Sequence, residues 1–325
     1  MNKNILVIGG AGYIGSHMAR LLLETGFNTV IFDNLSTGYK EFIPKKAAFI
    51  KGDLREEKNI SKAFSKYSID TVMHFAASSL VGESVRDPLK YYENNVYACV
   101  NLIKAMIEHK VKKFIFSSTA AVYGKPETVL IKEDNTIKPA NPYGRSKRMI
   151  EKILEDIAQT GDLTYITLRY FNAAGAHPSA EIGEKHNPET HLIPNILKTA
   201  KGAKKELVIF GNDYPTKDGT CVRDYIHVQD LCLAHLLALK ALNNKIKNEV
   251  FNLGSGNGYS IKEVIEIAQK ITGKKIKTKT GPRRPGDPVK LVASAQKAKE
   301  ILGWQAQYGL EEIIRTAWEW EKKRR

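Results

Sequence analysis

The segment Ile5-Leu6-Val7-Ile8-Gly9-Gly10-Ala11-Gly12-Tyr13-Ile14-Gly15 decides the fold class of this chain. An apolar run leads directly into glycines spaced as Gly-x-x-Gly-x-x-Gly, and a helical pattern follows. Glycines at these positions let the backbone turn tightly and approach a pyrophosphate, and let the helix pack close to the sheet. The start of the helix then offers N–H groups and a partial positive charge to phosphates. The segment therefore predicts a strand, a phosphate-binding turn and a helix.

The same alternation of strand and helix continues through the first half of the chain. Short, wholly apolar runs that are rich in β-branched and aromatic residues are typical of strands buried on both faces. They lie at Ile5–Ile8, Thr29–Phe32, Phe49–Ile50, Thr71–Phe75, Lys113–Phe116 and Tyr165–Leu168. Helical patterns lie at Gly12–Thr25, where Gly26 is expected just past the end, and at Glu56–Lys66, Leu89–His109 and Pro142–Gln159. This order predicts an α/β fold with a Rossmann-type, doubly wound parallel sheet.

The rhythm changes after about Arg169. Residues 175–189 are polar and loop-like, and the elements that follow are shorter, at His191–Ala200, Leu207–Phe210, Val228–Leu242, Val250–Leu253 and Ile261–Ile271. We expect a Rossmann domain of residues 1–172, completed by about 228–254. Residues 173–227 and 255–325 are expected to form a smaller C-terminal substrate-binding lobe.

The net charge of +15 is compatible with an anionic partner. Lys and Arg are spread along the chain, with local clusters only at Lys201–Lys205, Lys270–Lys277 and Lys322–Arg325. Such runs are usually solvated faces, so we do not expect nucleic-acid binding. A positive field would help to collect a small ligand with a diphosphate group.

The location is predicted from cysteine usage and hydropathy. Cys99, Cys221 and Cys232 are far apart and show neither Cys-x-x-Cys nor paired-histidine spacing, which is typical of free thiols in a reducing cytoplasm and predicts no metal site. No apolar run reaches the roughly 18 residues of a membrane span. The first fifteen residues are interpreted as a strand and turn rather than as a signal peptide. We therefore expect a cytoplasmic enzyme that does not bind membranes.

Two acidic residues follow predicted strands next to the glycine turn. Asp33 ends the second strand, where a carboxylate accepts hydrogen bonds from both ribose hydroxyls and repels a 2′-phosphate, which favours NAD over NADP. Asp53 ends the third strand, and it could accept from the adenine amino group with Leu54 against the ring. The alternative interpretation of Asp53 is a cap for the helix that begins at Glu56.

A candidate catalytic pair lies in the sequence Asn141-Pro142-Tyr143-Gly144-Arg145-Ser146-Lys147. Residues four apart on a helix share a face, so the Lys147 ammonium could stabilise the Tyr143 phenolate and lower its pKa, making the tyrosine a base near neutral pH. Ser117 and Thr119 end the fifth predicted strand, where hydroxyl groups would face a cofactor crevice.

The glycine turn, the Ser/Thr strand end and Tyr-x-x-x-Lys together resemble the extended short-chain dehydrogenase/reductases. Within that family the chain resembles the UDP-glucose (UDP-galactose) 4-epimerases along essentially its whole length. The longer matching stretches are Gly10–His17, Val81–Val85, Tyr91–Val96, Tyr170–Ala176, Gly211–His227 and Arg283–Pro288.

The resemblance implies a reaction and a catalytic set. Tyr143 would take the proton of the sugar C4 hydroxyl, Lys147 would bind the nicotinamide ribose and tune Tyr143, and Thr119 would hydrogen-bond the same sugar oxygen. Hydride would pass to tightly bound NAD and return to the other face of a 4-keto sugar. The expected cofactor-binding residues are Gly9, Gly12, Tyr13, Ile14, Gly15, Asp33, Asn34, Asp53, Leu54, Phe75, Ala76, Ala77, Asn94, Ser117, Tyr143, Lys147 and Tyr170.

The resemblance also implies a set of substrate-binding residues. Arg223 and Arg284 would pair with the diphosphate, Asp287 would accept from the uridine ribose, and Asn172 would hold the sugar diphosphate. Leu291 stands where the family controls pocket volume, and its intermediate size predicts glucose and galactose as main substrates with some tolerance of N-acetylhexosamines. The full expected set is Thr119, Tyr143, Asn172, His191, Leu192, Arg223, Arg284, Asp287 and Leu291.

Three alternatives share this fold. A nucleotide-sugar 4,6-dehydratase would need carboxylates after Thr119, where the chain has Ala120 and Ala121. A 4-epimerase of another UDP-sugar (UDP-N-acetylglucosamine, a UDP-pentose or a UDP-uronic acid) would differ only in the sugar pocket. A non-catalytic NAD-sensing protein would be expected to lose Tyr143 or Lys147.

The helical segments Leu89–His109 and Pro142–Gln159 carry more apolar residues than one core requires. The resemblance implies that they pair across a two-fold axis as a four-helix bundle and form a homodimer. The alternative is that both apolar stripes are used within one subunit.

Overall fold

The computed structural model describes residues 4–284 and 287–324, and the chain divides into two compact units. The first unit is Met1–Gly124, Ile137–Arg169 and Cys232–Phe251, and the second is Lys125–Thr136, Tyr170–Leu231 and Asn252–Arg325.

The strands are numbered in chain order. They are β1 Asn4–Ile8, β2 Asn28–Asp33, β3 Ala48–Lys51, β4 Ile69–His74, β5 Lys113–Thr119, β6 Thr164–Tyr170, β7 Asn172–Ala174, β8 Leu207–Phe210, β9 Val222–His227, β10 Glu249–Leu253, β11 Gly258–Ser260, β12 Thr278–Gly281 and β13 Lys290–Leu291.

The helices are numbered in the same way. They are α1 Tyr13–Glu24, α2 Glu57–Lys66, α3 Val81–Arg86, α4 Pro88–Tyr91, α5 Ala98–Glu108, α6 Pro142–Thr160, α7 Leu192–Ala200, α8 Val228–Asn243, α9 Ile261–Thr272, α10 Gln296–Leu302 and α11 Leu310–Lys323. Short 3₁₀ turns occupy Lys40–Phe42 and Ala120–Tyr123, and a π-helical segment occupies Tyr92–Tyr97.

The first unit is built on a seven-stranded sheet in the order β10-β6-β5-β4-β1-β2-β3. Strands β5, β4, β1, β2 and β3 pair with their neighbours in parallel, and apolar residues of β1, such as Leu6 and Val7, are fully buried. The predicted α/β class with a Rossmann-type parallel sheet is confirmed. Gly26 has φ +86° directly after Thr25, so the predicted stop of the first helix is also confirmed.

The helix predicted over Leu89–His109 is present and runs unbroken from Pro88 to Glu108, but it is not a regular α-helix throughout. The segment consists of α4, the π-helical turn and α5. Within the turn, the buried Asn95 side chain donates to the Ser78 carbonyl at 3.0 Å and the Ser146 hydroxyl at 3.0 Å, and accepts the Ser78 N–H at 2.8 Å. The apolar periodicity predicts helix on both sides but does not reveal a turn that matches one buried amide to off-helix partners.

The second unit contains two small sheets and a helical layer. β9 is the centre of one sheet, with β7 and β13 parallel to it and β11 antiparallel, whereas β8 and β12 form a parallel pair. α7, α9 and α11 share a core that includes Ile196, Val264 and Ile313. The sequence pattern does not reveal β9 as a strand, because its residues include buried charged side chains that break the apolar run.

In residues 4–284 and 287–324, every helix is too short or too polar to cross a bilayer.

Candidate active site

The glycine turn between β1 and α1 is built so that side chains are excluded from it. Gly9 has φ +76°, and a Cβ added there would lie 2.7 Å from the Ala76 amide nitrogen. A Cβ on Gly15 would collide with the Gly9 carbonyl oxygen. Gly12 precedes α1 without a side-chain cap, which leaves the helix start to backbone groups alone. This turn has the form that a pyrophosphate needs at a helix N-terminus.

Asp33 is joined directly to this turn. One carboxylate oxygen accepts the Ala11 N–H at 2.9 Å, and the other accepts the Leu35 N–H at 2.8 Å. Burial raises the pKa of Asp33, and the two backbone hydrogen bonds lower it. The structure thus brings the predicted ribose-binding carboxylate and the glycine turn together.

Asn34 and Asp53, both predicted for the cofactor site, also meet. The Asn34 amide donates to Asp53 at 2.9 Å, while the Arg55 guanidinium lies 2.7 Å from the same carboxylate. The hydrogen bond from Arg55 holds the pKa of Asp53 well below its usual range. Asp53 is not the cap of α2, because Glu56 occupies the N-cap position without a side-chain hydrogen bond. Leu54 beside it is buried.

The remaining predicted cofactor residues lie at the carboxyl ends of β4, β5 and β6, at the start of α1 or, for Asn94, in the π-helical segment. Phe75 follows β4, and its ring centroid is 4.6 Å from that of His235. The Asn94 amide donates to the Ser78 hydroxyl at 3.1 Å, and the Ser117 hydroxyl lies 3.3 Å from His235 Nε2. Among the other predicted cofactor residues, Tyr13 and Ile14 begin α1. Ala76 and Ala77 follow Phe75, and Tyr170 ends β6.

Three candidate catalytic side chains converge within the first unit. Thr119 ends β5, and its hydroxyl is hydrogen-bonded to the Tyr143 phenol. Lys147 lies one turn further along α6 and donates to the Ser117 carbonyl at 2.9 Å. The helix is fixed at its start because the Asn141 side chain accepts the N–H of Gly144 at 2.9 Å. The structure therefore assembles the predicted Thr-Tyr-Lys set at one strand end.

The protonation of this set differs from the sequence-based expectation. Burial raises the pKa of Tyr143, and only the hydrogen bond from Thr119 lowers it. Lys147 is itself buried, which lowers its own pKa to about 8. Burial therefore raises the pKa of Tyr143, in place of the lowering expected from the Lys147 ammonium, which donates to a backbone carbonyl.

A buried ionic network connects α6 to β5, and the sequence does not predict it. Glu151 lies four residues after Lys147 on α6 and pairs with Arg169 at 2.7 Å, with both side chains almost fully buried. The Ser118 hydroxyl, next to Thr119, donates to Glu151 at 2.6 Å, and Arg169 donates to the Tyr123 hydroxyl at 2.9 Å. A signal was present, because Glu151 shares the helix face of Lys147, but a single charged residue on a helix is usually exposed.

In the second unit, the structure brings together three of the predicted substrate-binding residues. The Arg223 guanidinium, which is largely buried, lies 2.6 Å from the Asp287 carboxylate. Leu291 pairs with Arg223 across β13 and β9. In the same unit the Asn172 amide donates to the Asp224 carbonyl at 2.9 Å. Arg284 is held differently, with its guanidinium 4.2 Å from the centre of the Phe210 ring.

His191 is the last residue before α7, and Leu192 is the first residue of that helix. The Nδ1 atom of His191 lies 2.6 Å from a Glu184 carboxylate oxygen. Glu184, His186 and Glu189, which surround His191, had not been identified from the sequence because residues 175–189 carry no periodic pattern.

The parallel sheet, the glycine turn with Asp33, and the Thr119–Tyr143–Lys147 set define a short-chain dehydrogenase/reductase. A family model described as GDP-mannose 4,6 dehydratase matches residues 6–317. A protein of Halalkalibacterium halodurans named UDP-glucose 4-epimerase is 50% identical over 320 residues, which cover 98% of this chain and 96% of that protein. The chain therefore belongs to the UDP-glucose 4-epimerase family within the extended short-chain dehydrogenase/reductases.

Solved structures agree with this assignment. A UDP-glucose 4-epimerase from Brucella ovis in complex with NAD has a TM-score of 0.94 and 45% identity, with 97% of each chain covered. A UDP-glucose 4-epimerase from Bifidobacterium longum in complex with NAD⁺ and UDP has a TM-score of 0.95 and 39% identity, covering 99% of this chain and 98% of that one.

Proposed function

We propose that this chain is an NAD-dependent isomerase that interconverts UDP-glucose and UDP-galactose by inverting the sugar at C4. The observation that carries the proposal is the Thr119–Tyr143–Lys147 set in a chain that is half identical, over almost its full length, to a UDP-glucose 4-epimerase. The dehydratase alternative is disfavoured by Ala120 and Ala121, which provide no carboxylate after Thr119.

The residues of the first unit fit NAD. The turn at Gly9 and Gly15 leaves no room for a Cβ, as required where a pyrophosphate meets backbone N–H groups, and the Asp33 carboxylate stands beside it. Related epimerases were crystallised with NAD bound. When bound, NAD supplies the chemistry of accepting a hydride from the sugar C4 and returning it.

The protein groups supply the proton transfer and the positioning. Tyr143 takes the proton of the C4 hydroxyl as hydride leaves C4, and it returns the proton when the 4-keto sugar is reduced from its other face. The Thr119 hydroxyl is hydrogen-bonded to the Tyr143 phenol and lowers its pKa, and with substrate bound the same hydroxyl proton would be donated to the sugar oxygen instead. Lys147, fixed on the Ser117 carbonyl, binds the nicotinamide ribose.

The second unit provides the candidates for holding the nucleotide sugar. The planar Arg223 and Arg284 guanidinium groups suit a diphosphate, Asp287 suits a ribose hydroxyl, and Asn172 suits the sugar diphosphate. Leu291 pairs with Arg223 across β13 and β9. The intermediate size of its side chain supports some turnover of N-acetylhexosamine nucleotides. We accordingly assign residues 1–172 with about 228–254 to NAD binding, and residues 173–227 and 255–325 to nucleotide-sugar binding.

We propose a homodimer that functions in the cytoplasm. Apolar side chains on the α3, α4, π-helical and α6 segments are unusually exposed, with Leu89 at 71%, Tyr97 at 52% and Met149 at 43%. A second copy of the chain would cover this face, as the two-fold bundle of the resemblance implies. Cys99, Cys221 and Cys232 are free and buried, which fits a reducing compartment.

The direct test uses the purified protein without added cofactor. It is incubated separately with UDP-galactose, UDP-N-acetylgalactosamine and UDP-arabinose, and the products are separated by chromatography. We expect UDP-glucose from UDP-galactose as the fastest conversion and NAD in the protein-free extract. Bound NAD without any conversion would instead indicate a non-catalytic NAD-sensing protein.

A further inference from the structure

Four titratable side chains in the loop before α7 form what we call the acid–histidine cluster, Glu184, His186, Glu189 and His191. Each contributes a ligand-type atom, and these atoms all lie within 4.8 Å of one another. The two carboxylates are inside, with only 6% and 3% of their side chains exposed, whereas 46% of the His191 side chain is exposed. A half-exposed imidazole therefore lies against two buried acids.

The distances identify one short ion pair of hydrogen-bond length and two longer ionic contacts. His191 Nδ1 is 2.6 Å from Glu184 Oε1 and 3.6 Å from Glu189 Oε1, and His186 Nδ1 is 3.3 Å from the same Glu184 oxygen. Glu189 is held in place because its Oε1 atom also accepts the N–H groups of Thr190 at 2.9 Å and His191 at 3.0 Å. Although burial opposes it, the neighbouring histidines lower the pKa values of Glu184 and Glu189, so both carboxylates are ionised, and the four groups are electrically neutral together only when both rings are protonated.

A shared metal ion fits these distances less well. Two nitrogen or oxygen ligands at about 2.0–2.2 Å from a tetrahedral zinc ion are about 3.3–3.6 Å apart. The 2.6 Å between His191 Nδ1 and Glu184 is instead the length of a charge-assisted hydrogen bond. With Nδ1–H donated to Glu184, the ring has its Nε2–H on the opposite edge, away from the buried acids.

We propose that Glu184, supported by Glu189, keeps His191 protonated and oriented so that its Nε2–H donates to the diphosphate of the nucleotide sugar. The inference rests on the proposed function, because that function supplies the diphosphate. It makes Glu184 a positioning residue for substrate binding, and it gives the chain a fixed positive charge from a residue type that is usually neutral above about pH 7.

The electrostatics agree with the geometry. The groups that face His191 are Glu184 and Glu189, which raise its pKa, and His186, which shares the same acids. The carboxylates outweigh desolvation and raise the pKa of His191 to about 10, from an ordinary value near 6.5. A raised pKa means that the charge is present at neutral pH and is lost only as the pH rises through the folded-state value.

The first test compares the pH dependence of KM and kcat for UDP-galactose in the wild type and in Glu184→Gln, from about pH 6 to about pH 8.5. The wild-type KM is expected to vary little in this range. In Glu184→Gln the imidazole loses its proton as the pH rises, so KM should be near wild type at the acidic end and about tenfold higher at the alkaline end. The kcat should change little in both proteins.

A matched control is Glu181→Gln, which removes the same charge from an exposed position in the same loop and should leave KM flat. A KM of Glu184→Gln that runs parallel to wild type at every pH would overturn the inference. If the wild type itself has no epimerase activity, the proposed function fails instead.

A second measurement follows the titration of His191 in the wild-type protein itself. Histidine-selective NMR of the wild-type protein, with His191 assigned from His191→Asn, should show His191 protonated above about pH 8. Titration of His191 near pH 6.5, or a stoichiometric bound metal that is lost in His191→Asn, would contradict the proposal.

Discussion

At the scale of single residues, the chemistry depends on where three side chains are placed relative to solvent. Thr119 and Lys147 are buried, and burial pushes the pKa of Tyr143 upward and that of Lys147 down to about 8. The Thr119 hydroxyl is the protein group that opposes the shift on Tyr143. Tyr143 can accept the sugar proton only as the phenolate, so this environment has to be offset by the Thr119 hydrogen bond and by the positive charge that bound NAD⁺ would bring.

The spacing of Tyr143 and Lys147, taken together with the glycine turn and the hydroxyl residues that end the fifth strand, marks both as catalytic candidates in the sequence. The sequence could not reveal their protonation, because desolvation depends on packing from distant segments. Asp33 was predictable for the same reason as the pair, since it lies at a strand end set by local pattern. Glu184 was not, because it lies in residues 175–189, which carry no periodic pattern.

Leu291 carries a prediction about the sugar. Leu291→Tyr adds bulk next to Arg223, so turnover of UDP-N-acetylgalactosamine should fall by at least about tenfold while turnover of UDP-galactose changes little. The measurement is the ratio of kcat/KM for the two substrates. An unchanged ratio would contradict the assignment of Leu291 to the sugar pocket.

At the scale of elements, α6 links catalysis to the core. Tyr143, Lys147 and Glu151 follow at four-residue intervals on one face, and Glu151 connects through Ser118 to the strand that ends in Thr119. The network holds both sides of the catalytic set. The charges of Glu151 and Arg169 are buried, so loss of either one would leave the other as an uncompensated buried charge.

Breaking this network should therefore be costly. Glu151→Gln leaves Arg169 buried without its carboxylate, and the free energy of unfolding should fall by roughly 3–5 kcal/mol. The measurement is urea unfolding followed by circular dichroism. Arg315→Met, which breaks the exposed Arg315–Glu312 pair, serves as a control and should leave the unfolding midpoint nearly unchanged. Equal effects of the two changes would contradict the importance assigned to burial.

The elements of the first unit were largely predictable. Apolar runs predicted strands β1 to β6, with ends that differ by up to three residues. The predicted end of β5 falls short of Thr119 because the last residues of this strand are polar, although they are buried. In the second unit β8 matches the predicted Leu207–Phe210, whereas β7, β11 and β13, with two or three residues each, are too short for any period to appear. Their order depends on long-range pairing with β9, which local sequence does not encode.

At the scale of the whole molecule, the first unit holds the dinucleotide turn and the catalytic set, and the second holds the arginine and histidine candidates for an anionic substrate. The positive charge of the chain fits such a substrate.

The exposed apolar face of the first unit predicts an oligomer. Leu89→Glu together with Met149→Glu would place two carboxylates on that face, so a particle of twice the chain mass should become a monomer in light scattering after size-exclusion chromatography. Val129→Glu changes a side chain that is 61% exposed in the second unit and should leave the wild-type mass unchanged. A wild-type monomer would contradict the dimer.

The proposed reaction depends on the Tyr143 phenol, which transfers the proton of the sugar hydroxyl beside bound NAD. The measurement is kcat for UDP-galactose in Tyr143→Phe, together with the NAD content of the purified variant. We predict a loss of roughly 10²–10⁴-fold in kcat with NAD retained, because the fold is kept and only the acid–base group is removed. Epimerisation at the wild-type rate by Tyr143→Phe would contradict the account.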